Sequence, residues 1–261
     1  MNMPTPIAVL PTPSDIGCVV AQGILDQLRT TGRATVGFPA GRTATPVAAA
    51  LTMLAHEQNA RLDGLSIVMM DEYVTGQPGA WHVLPSAEPH SCIGWAHRNL
   101  VSPLSDLGMC ADRLVTPDPN APERFREAIE TIGGIDIFLL ASGQSDGHVA
   151  LNPPGTPRTA RTRIVRLDDS TRRDNLSTFP TLRSLADVPT LGITIGTGDL
   201  ADLSRRVAML LWGRDKAYAF ECITRAHTYD PTWPATIVHD CQNPVIFADT
   251  EAARSSPKEG V

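Results

Sequence analysis

Short apolar runs rich in β-branched residues alternate along this chain with longer segments of helical spacing, and this alternation strongly constrains the fold. It is typical of βαβ units, in which a helix connects two parallel strands. The pattern predicts strands at Ala34 to Phe38, Ser66 to Met70, Ile135 to Leu140, Leu191 to Ile195, Val207 to Trp212 and Val245 to Ala248. It predicts helices at Ser14 to Thr30 (with Ser14 as N-cap), Pro46 to Gln58, Ser91 to Leu100, Pro122 to Ile132 and Lys216 to Ala226. We therefore expect an α/β fold with a mostly parallel central sheet.

The composition fits a single domain with a sizeable core. The chain has 261 residues, 42% of them hydrophobic, and shows no internal repeat or low-complexity linker. We expect one domain over residues 1–250 and a frayed tail over residues 251–261. The net charge of −6 argues against nucleic acid as a partner, because nucleic-acid surfaces usually carry clustered Lys and Arg. No uncharged apolar run of about 18 residues indicates a membrane span, and we expect a cytoplasmic protein.

The cysteines indicate neither a disulfide framework nor a zinc site. Their number is odd and their spacing includes no CxxC pair: Cys18, Cys92, Cys110, Cys222 and Cys241. Free, reduced thiols are the simplest interpretation. Because no other metal-ligand set is evident in the sequence, we expect no metal.

In an open parallel sheet, ligands bind outside the carboxyl ends of the strands, so the residues that follow each strand are the first candidates for a site. Gly41, Arg42 and Thr43 follow the first predicted strand and precede a helix. Exposed backbone N–H groups and the helix dipole make such a turn an anion site, and Arg42 could add a charged fork. An ordinary strand-to-helix turn is the alternative. Lys216 begins another helix, where its charge opposes the helix dipole, which slightly favours a ligand role.

Ionisable side chains follow two further predicted strands. Asp71 and Glu72 are adjacent, so only one of them need face a site on an extended chain. A partly desolvated carboxylate there has a raised proton affinity and can act as a general base toward a carbon acid, although solvated loop charges are the alternative. Asp146 and His148 flank Gly147 in a tight turn. A histidine oriented by a carboxylate is a good proton shuttle near neutral pH.

Between about Ala34 and Asp249, seven segments resemble the glucosamine-6-phosphate deaminase and 6-phosphogluconolactonase superfamily. They are GFPAGRTATP, VMMDEYVTG, SCIGWAHRNL, GGIDIFLLASGQSDGHVALNPPGT, TRTRIVRLDDSTRRDN, LGITIGTGDLAD and LLWGRDKAYAF. Met-Asp-Glu-Tyr-Val and Asp-Gly-His-Val-Ala-Leu-Asn are similar to the deaminase branch. The resemblance implies a modified Rossmann-like fold, a three-layer sandwich around the parallel sheet. It also implies a reaction that opens an amino-sugar phosphate, isomerises the aldose to a ketose and releases ammonia.

The resemblance implies roles for individual residues. Asp71 matches the base that moves a proton between C1 and C2, while Asp146 and His148 match two members of the group that handles the ring oxygen. Three residues fall where the family holds the phosphate: Gly41, Thr43 and Lys216. The scheme requires no metal or other cofactor. The expected partner is a small-molecule phosphosugar. Whether the protein also forms a homo-oligomer is left open by the sequence.

The chain also departs from the deaminase pattern. Pro153 stands where the family places a glutamate that completes the ring-opening relay, and Ser177 stands where an arginine clasps the phosphate. Arg42 occupies a position that is Gly or Ser in the family. We expect Arg42 or Arg172 to replace the lost charge, since a bidentate arginine suits an anion. The alternative is a changed substrate, or an isomerisation that stops before ammonia leaves.

Three functions therefore compete. The first is an aldose-ketose isomerase or deaminase. The second is a lactone hydrolase in which His148 activates water, although Tyr73 replaces the arginine typical of the lactonase branch. The third is a catalytically weakened sugar-phosphate sensor or assembly partner, which Pro153 and Ser177 favour. The arginine-rich segment Thr156 to Arg173 is either a mobile lid or a solvated loop.

Overall fold

A seven-stranded parallel sheet forms the centre of the molecule. The computed structural model describes residues 4–179 and 181–254, apart from the side chain of Ser177. Its strands are β1 Ile7–Leu10, β2 Ala34–Phe38, β3 Leu65–Met69, β4 Asp71–Gln77, β5 Ala80–Val83, β6 Leu114–Val115, β7 Ile137–Ala141, β8 Arg163–Arg166, β9 Leu191–Thr194, β10 Val207–Leu211 and β11 Pro244–Asp249. The central sheet has the order β1-β11-β10-β7-β2-β3-β6, and every neighbouring pair in it is parallel.

Helices cover both faces of this sheet. They are α1 Pro13–Thr31, α2 Thr45–Glu57, α3 Cys92–Ala96, α4 Arg124–Thr131, α5 Asp169–Thr178, α6 Thr197–Leu203 and α7 Ala217–Arg225. Helix α3 continues into a π-helical turn at His97–Val101. One apolar cluster joins α1, α2 and α3 to one face of the sheet, and a second joins α4, α6 and α7 to the other. The expected three-layer α/β fold is confirmed.

Strand β10 shows why the central strands are continuous apolar runs in the sequence. Ala208 and Leu210 belong to the first cluster, whereas Val207, Met209 and Leu211 belong to the second. Successive strand residues point to opposite faces, and both faces of this sheet are covered. All five residues are therefore buried.

A second, antiparallel sheet with the order β5-β4-β9-β8 was not predicted. The prediction that the Leu191 strand belongs to the parallel sheet is wrong, because β9 pairs antiparallel with β4 and β8. Strand β4 follows β3 with only Met70 between them, so the chain passes directly from the parallel sheet into the smaller one. Its first residues, Asp71 and Glu72, are acidic and hide the strand from a hydrophobic pattern.

Two predicted boundaries change at the ends of the chain. The N-cap of α1 is Thr12 rather than Ser14: the Thr12 hydroxyl accepts from the Asp15 backbone N–H, and the Asp15 carboxylate accepts from the Thr12 N–H. Pro13 then occupies the first turn, where its missing N–H costs nothing. The expected tail begins with a packed turn, because Ala252 is fully buried. Residues 255–261 lie outside the described residues.

Side-chain contacts join segment 156–173, predicted as a mobile lid or a solvated loop, to neighbouring elements. It contains β8 and the beginning of α5, and the Arg161 guanidinium donates a hydrogen bond to the buried carboxylate of Asp199 at 2.8 Å. The Arg158 guanidinium likewise donates a hydrogen bond to the Asp240 carboxylate at 3.0 Å. Among the described helices, none is long and apolar enough to cross a membrane.

Replacing Gly37 with Ala should destabilise the central sheet. Gly37 lies in β2, and a Cβ atom there would lie 2.1 Å from the ring of Phe138 on the neighbouring strand. Overpacking of this kind lowers the free energy of unfolding by about 1–3 kcal/mol. In Gly23→Ala, the added Cβ meets no described atom within 4 Å, and we expect a gain of about 0.5–1 kcal/mol in helix α1. Urea unfolding of both variants measures the difference, and equal effects would contradict it.

Candidate active site

Five chain segments end at one pocket on the carboxyl edge of the central sheet. The turns after β2, β7 and β10, the start of β4 and the helix α5 all contribute to its wall. The ionisable groups that line it are Arg42, Asp71, Tyr73, Cys92, His148, Asp174 and Lys216. Polar groups from distant parts of the sequence therefore meet where the fold predicts a ligand.

Asp71 and Glu72 point in opposite directions from the start of β4. The Glu72 carboxylate is fully buried and accepts hydrogen bonds from the Ser91 hydroxyl at 2.7 Å and from the backbone N–H groups of Cys92 and Ile93 at 3.1 and 2.9 Å. It also accepts from the N–H of Tyr73. These bonds fasten the N-terminus of α3 to β4, so Glu72 has a structural role. Asp71, only 6% exposed, lines the pocket.

Burial raises the pKa of Asp71 to about 7. A hydrogen bond from the Cys92 side chain and the nearby charge of His148 lower this pKa, while the negative charge of Glu72 raises it. Burial dominates because removal from water disfavours the charged form of a carboxyl group. Asp71 is therefore close to half-ionised at neutral pH, which is the protonation behaviour of an efficient general base.

Asp146 and His148 form a hydrogen-bonded pair in the turn after β7. His148 Nδ1 lies 2.7 Å from Asp146 Oδ1, and the hydroxyls of Ser170 and Thr171 donate to Asp146 Oδ2. Burial alone would raise the pKa of Asp146, but the bond from His148, its charge and the Thr171 hydroxyl outweigh it and lower the pKa. Asp146 thus stays ionised and orients the imidazole of His148, which lines the pocket.

Gly147 is required at the centre of this turn. Its φ is +67°, a left-handed backbone conformation that is unfavourable for residues with a Cβ atom. A Cβ atom at this position would also lie 2.2 Å from the ring of Trp233. The close packing of Trp233 on the Gly147 backbone holds the turn that presents Asp146 and His148.

The predicted anion turn lies at the opposite wall of the pocket. Gly41 has a φ of +95°, and residues Arg42–Ala44 form a 3₁₀ turn that leads into α2 without a side-chain cap. Arg42 and Thr43 line the pocket, as does Lys216. Lys216 is 8% exposed, its ammonium donates to the Ser142 carbonyl at 2.6 Å, and burial lowers its pKa. The turn and the Lys216 side chain therefore line the same pocket.

The two arginines that we expected to replace the phosphate-binding arginine of the family have different partners. Arg42 forms an ion pair with Asp215 and lies 5.3 Å from the ring centroid of Trp212, so its charge is already partly balanced. Arg172 is not brought to the pocket. Its guanidinium donates to the carbonyls of Leu185 and Val188 and to Asp169, and it ties α5 to the following turn. The Ser177 side chain lies outside the described residues.

Three pocket residues were missed by the sequence reasoning: Cys92, Asp174 and Asn175. The helix α5 that carries the last two was not predicted, because its sequence DSTRRDNLST is too polar to show an apolar face. Asp174 accepts from the Gln144 N–H at 2.8 Å and from the Ser145 hydroxyl at 3.1 Å, which supports the turn before Asp146. The Asn175 side-chain N–H₂ is buried and has no partner among the described residues, so it is free to bind a ligand oxygen.

The folded chain also contains a possible metal-ligand set that the sequence did not reveal. Ligand atoms of Asp146, His148 and Asp174 lie within 4.8 Å of one another. The oxygens of both carboxylates already accept hydrogen bonds, and the Asp146–His148 contact is itself one of these.

Curated relatives match most of the chain in sequence. Glucosamine-6-phosphate deaminases from Pseudarthrobacter chlorophenolicus and Shouchella clausii are 31% identical over 255 residues and 28% identical over 236 residues. These matches cover 97% and 88% of this chain, and 92% and 89% of the relatives. A scan against models of protein families finds no match.

Solved structures show the same fold. A monomeric glucosamine-6-phosphate deaminase aligns with a TM-score of 0.83 at 24% identity, covering 95% of this chain and 99% of that structure. A 6-phosphogluconolactonase from Thermotoga maritima aligns with a TM-score of 0.69 at 19% identity, covering 94% and 100%. These likenesses show the α/β fold, and the sequence relatives assign the chain to the deaminase and lactonase superfamily. Given the 31% identity over nearly its whole length, the chain belongs to the glucosamine-6-phosphate deaminase family.

Replacing Asp71 with Asn should stabilise the protein above neutral pH. The pKa of Asp71 is about 7 in the folded state and has its ordinary value, near 3.8, in the unfolded state. Between these values the folded state retains a proton that the unfolded state loses, so the contribution of Asp71 to stability falls as the pH rises. We expect the free energy of unfolding of Asp71→Asn to exceed that of the wild type by about 1–3 kcal/mol at pH 8 and by less at pH 5.

Asp146→Asn provides the matched control, because the pKa of Asp146 is lowered rather than raised. This variant should lose stability at neutral pH by an amount that stays constant between pH 5 and pH 8, because the Asp146 carboxyl group is ionised in both states there and its contribution falls only below its ordinary pKa of 3.8. Urea unfolding between pH 5 and pH 8 measures both. A pH-independent difference between Asp71→Asn and the wild type would contradict the burial of a titrating carboxyl group.

Proposed function

We propose that the protein is an aldose-ketose isomerase and deaminase that acts on a phosphorylated amino sugar of the glucosamine 6-phosphate type. The observation that supports it most is the meeting of a buried carboxylate, Asp71, with the Asp146–His148 pair in one pocket. The pKa of Asp71 is raised, which suits a base, whereas the pKa of Asp146 is lowered, which suits an ionised group that orients the proton shuttle His148. Because a sugar phosphate is charged and crosses membranes poorly, we place the activity in the cytoplasm.

The reaction begins with ring opening. His148, oriented by Asp146, donates a proton to the ring oxygen as the bond to C1 breaks, and the C1 hydroxyl loses its proton to give the open-chain aldehyde. Asp71 then removes the proton from C2 and returns one to C1, while the C1 oxygen gains the proton that the amine nitrogen loses, so that a C1 hydroxyl and a C2 imine replace the aldehyde and the amine. Water adds to that imine and ammonia leaves, giving a ketose phosphate. A base with a pKa near 7 gives up its proton to C1 as readily as it takes one from C2.

The phosphate is proposed to bind at the turn formed by Gly41, Arg42 and Thr43. Its support is the 3₁₀ turn at the start of α2, which has no side-chain cap and lines the pocket together with Lys216. The ion pair with Asp215 holds Arg42 at the rim, where its remaining N–H donors stay available. Arg172 is not part of this proposal, since its donors are used within the protein.

Pro153 leaves the ring-opening relay one carboxylate short of the family pattern, so we propose that ring opening limits the rate. Pro153→Glu should raise ammonia release from glucosamine 6-phosphate by about tenfold or more, because an added general acid-base group is typically worth about 10²–10⁴ when well placed. Pro154→Glu, one residue further along, is the matched control and should gain nothing. An equal response of the two variants would contradict this explanation.

The reaction itself is tested with glucosamine 6-phosphate in deuterated water. The C2 proton signal is followed by NMR and ammonia is assayed in the same sample. We expect loss of the C2 signal together with ammonia for the wild type, and neither for Asp71→Asn. Lys216→Met should raise KM at least tenfold, because it removes the buried cation from the phosphate site.

Two other outcomes would revise the proposal. Exchange at C2 without ammonia would identify an isomerase whose reaction ends early. Hydrolysis of 6-phosphogluconolactone, with no exchange at C2 of any aminosugar phosphate, would favour the lactonase reaction instead. Arg172→Lys is the control for a loss of activity that comes from general destabilisation. Arg172 lies outside the pocket, so this variant should leave KM unchanged.

A further inference from the structure

Trp212 directly follows β10 and contacts the turn to which the phosphate is proposed to bind. Its indole Nε1–H donates a hydrogen bond to the backbone carbonyl of Thr43 at 3.1 Å. The guanidinium of Arg42 lies over its ring, with the central guanidinium carbon 5.3 Å from the ring centroid. One side chain therefore contacts two consecutive residues of the turn, the backbone of Thr43 and the charged group of Arg42.

The Trp212 side chain is itself firmly held. Its ring is partly buried and packs against the apolar cluster that joins α1, α2 and α3 to the sheet. The next residue, Gly213, donates its backbone N–H to the carboxylate of Asp249 at 3.0 and 3.1 Å, and Asp249 is only 3% exposed. Because both its ring and the adjoining backbone are fixed, Trp212 is a rigid support for the turn.

The turn has few other contacts of this kind. Residues Arg42–Ala44 form a 3₁₀ turn without a side-chain cap. The ion pair between Arg42 and Asp215 lies at the surface, where the two side chains are 36% and 35% exposed. An exposed ion pair orients an arginine weakly, because solvent screens the charges and both side chains lose freedom. A guanidinium stacked on an indole ring gains a further attraction that also fixes its plane.

We propose that Trp212 is a positioning residue that holds the Thr43 backbone and the Arg42 guanidinium in the geometry that binds the phosphate of the substrate. This inference rests on the proposed phosphate site. It deepens that proposal because the orientation of Arg42 is set from two sides, by the Asp215 carboxylate and by the Trp212 ring. A bound anion then meets donors that are already in place, so less conformational freedom is lost on binding.

Binding of inorganic phosphate, followed by phosphorus NMR, tests this role without turnover. Trp212→Phe keeps an aromatic face for Arg42 but removes the donor to Thr43, so the Kd for phosphate should rise about threefold. Trp212→Leu removes both contacts, and the Kd should rise about tenfold. Urea unfolding confirms that the variants measured are folded. An unchanged Kd in Trp212→Phe and in Trp212→Leu would overturn the proposal.

The Arg42→Met background separates the two contacts. Without the guanidinium the ring has no cation to hold, so Trp212→Phe and Trp212→Leu should bind phosphate equally in this background. Both should still bind more weakly than Arg42→Met alone, because both lack the donor to Thr43. A difference between the Phe and Leu variants that persists without Arg42 would mean that the ring acts by packing, and would overturn the proposal.

Trp95→Phe is the matched control for the loss of an indole ring from the core. Trp95 packs in the same apolar cluster, with its ring centroid 6.5 Å from that of Phe38. This variant should lower the free energy of unfolding and leave the Kd for phosphate unchanged. A rise in Kd equal to that of Trp212→Phe would assign the effect to core packing and overturn the proposal.

Turnover of glucosamine 6-phosphate separates this inference from the proposed reaction. In Trp212→Phe, KM should rise by about the same factor as the Kd while kcat stays within about twofold of the wild type, because the altered contact lies at the phosphate. A fall in kcat at unchanged KM would overturn the positioning role. A wild type that binds no phosphate would refute both the phosphate site and this inference. Phosphate binding that depends on Trp212, together with inactivity on every phosphosugar, would refute the proposed reaction only.

Discussion

The burial of two adjacent carboxylates, Asp71 and Glu72, is the constraint on which the rest of the site depends. A buried charge is costly unless it is hydrogen-bonded, and the two residues meet this cost differently. Glu72 accepts four hydrogen bonds, three of them from α3 and the residue before it, and thereby joins the helix to β4. Asp71 lines the pocket instead, where burial raises its pKa to about 7. One carboxylate is therefore stabilised as a structural link, while its neighbour keeps a raised proton affinity for chemistry.

The topology explains why these groups meet. Strands β2, β3, β7 and β10 are parallel, so their carboxyl ends lie at one edge of the sheet and bring together residues 41–43, 71, 146–148 and 216. The antiparallel sheet begins at the same edge, since β4 starts two residues after β3 ends. Its pairing with β9 fixes the backbone of Asp71 opposite Thr194. The base is thus carried by a strand rather than by a loop, which limits its freedom of movement.

Much of this arrangement could be predicted from the sequence, for physical reasons that also explain the failures. The central strands were visible because both of their faces are buried, and Asp71, His148 and Lys216 could be found by looking just after those strands. Strand β4 and helix α5 were missed because polar residues dominate them. The role proposed for Arg172 failed because a charge in a sequence does not reveal its partner: the carbonyls that accept its hydrogen bonds become neighbours only in the fold.

The proposed reaction depends on one geometry, in which Asp71 faces C1 and C2 of a sugar whose phosphate lies at the turn of residues 41–43. A crystal structure with the open-chain amino alditol phosphate, which lacks the carbonyl and cannot react, tests this geometry. We expect an Asp71 carboxylate oxygen to contact C1 and C2, and the phosphate to contact the backbone of Thr43 and the ammonium of Lys216. A phosphate bound elsewhere, or carbons C1 and C2 lying away from Asp71, would contradict it.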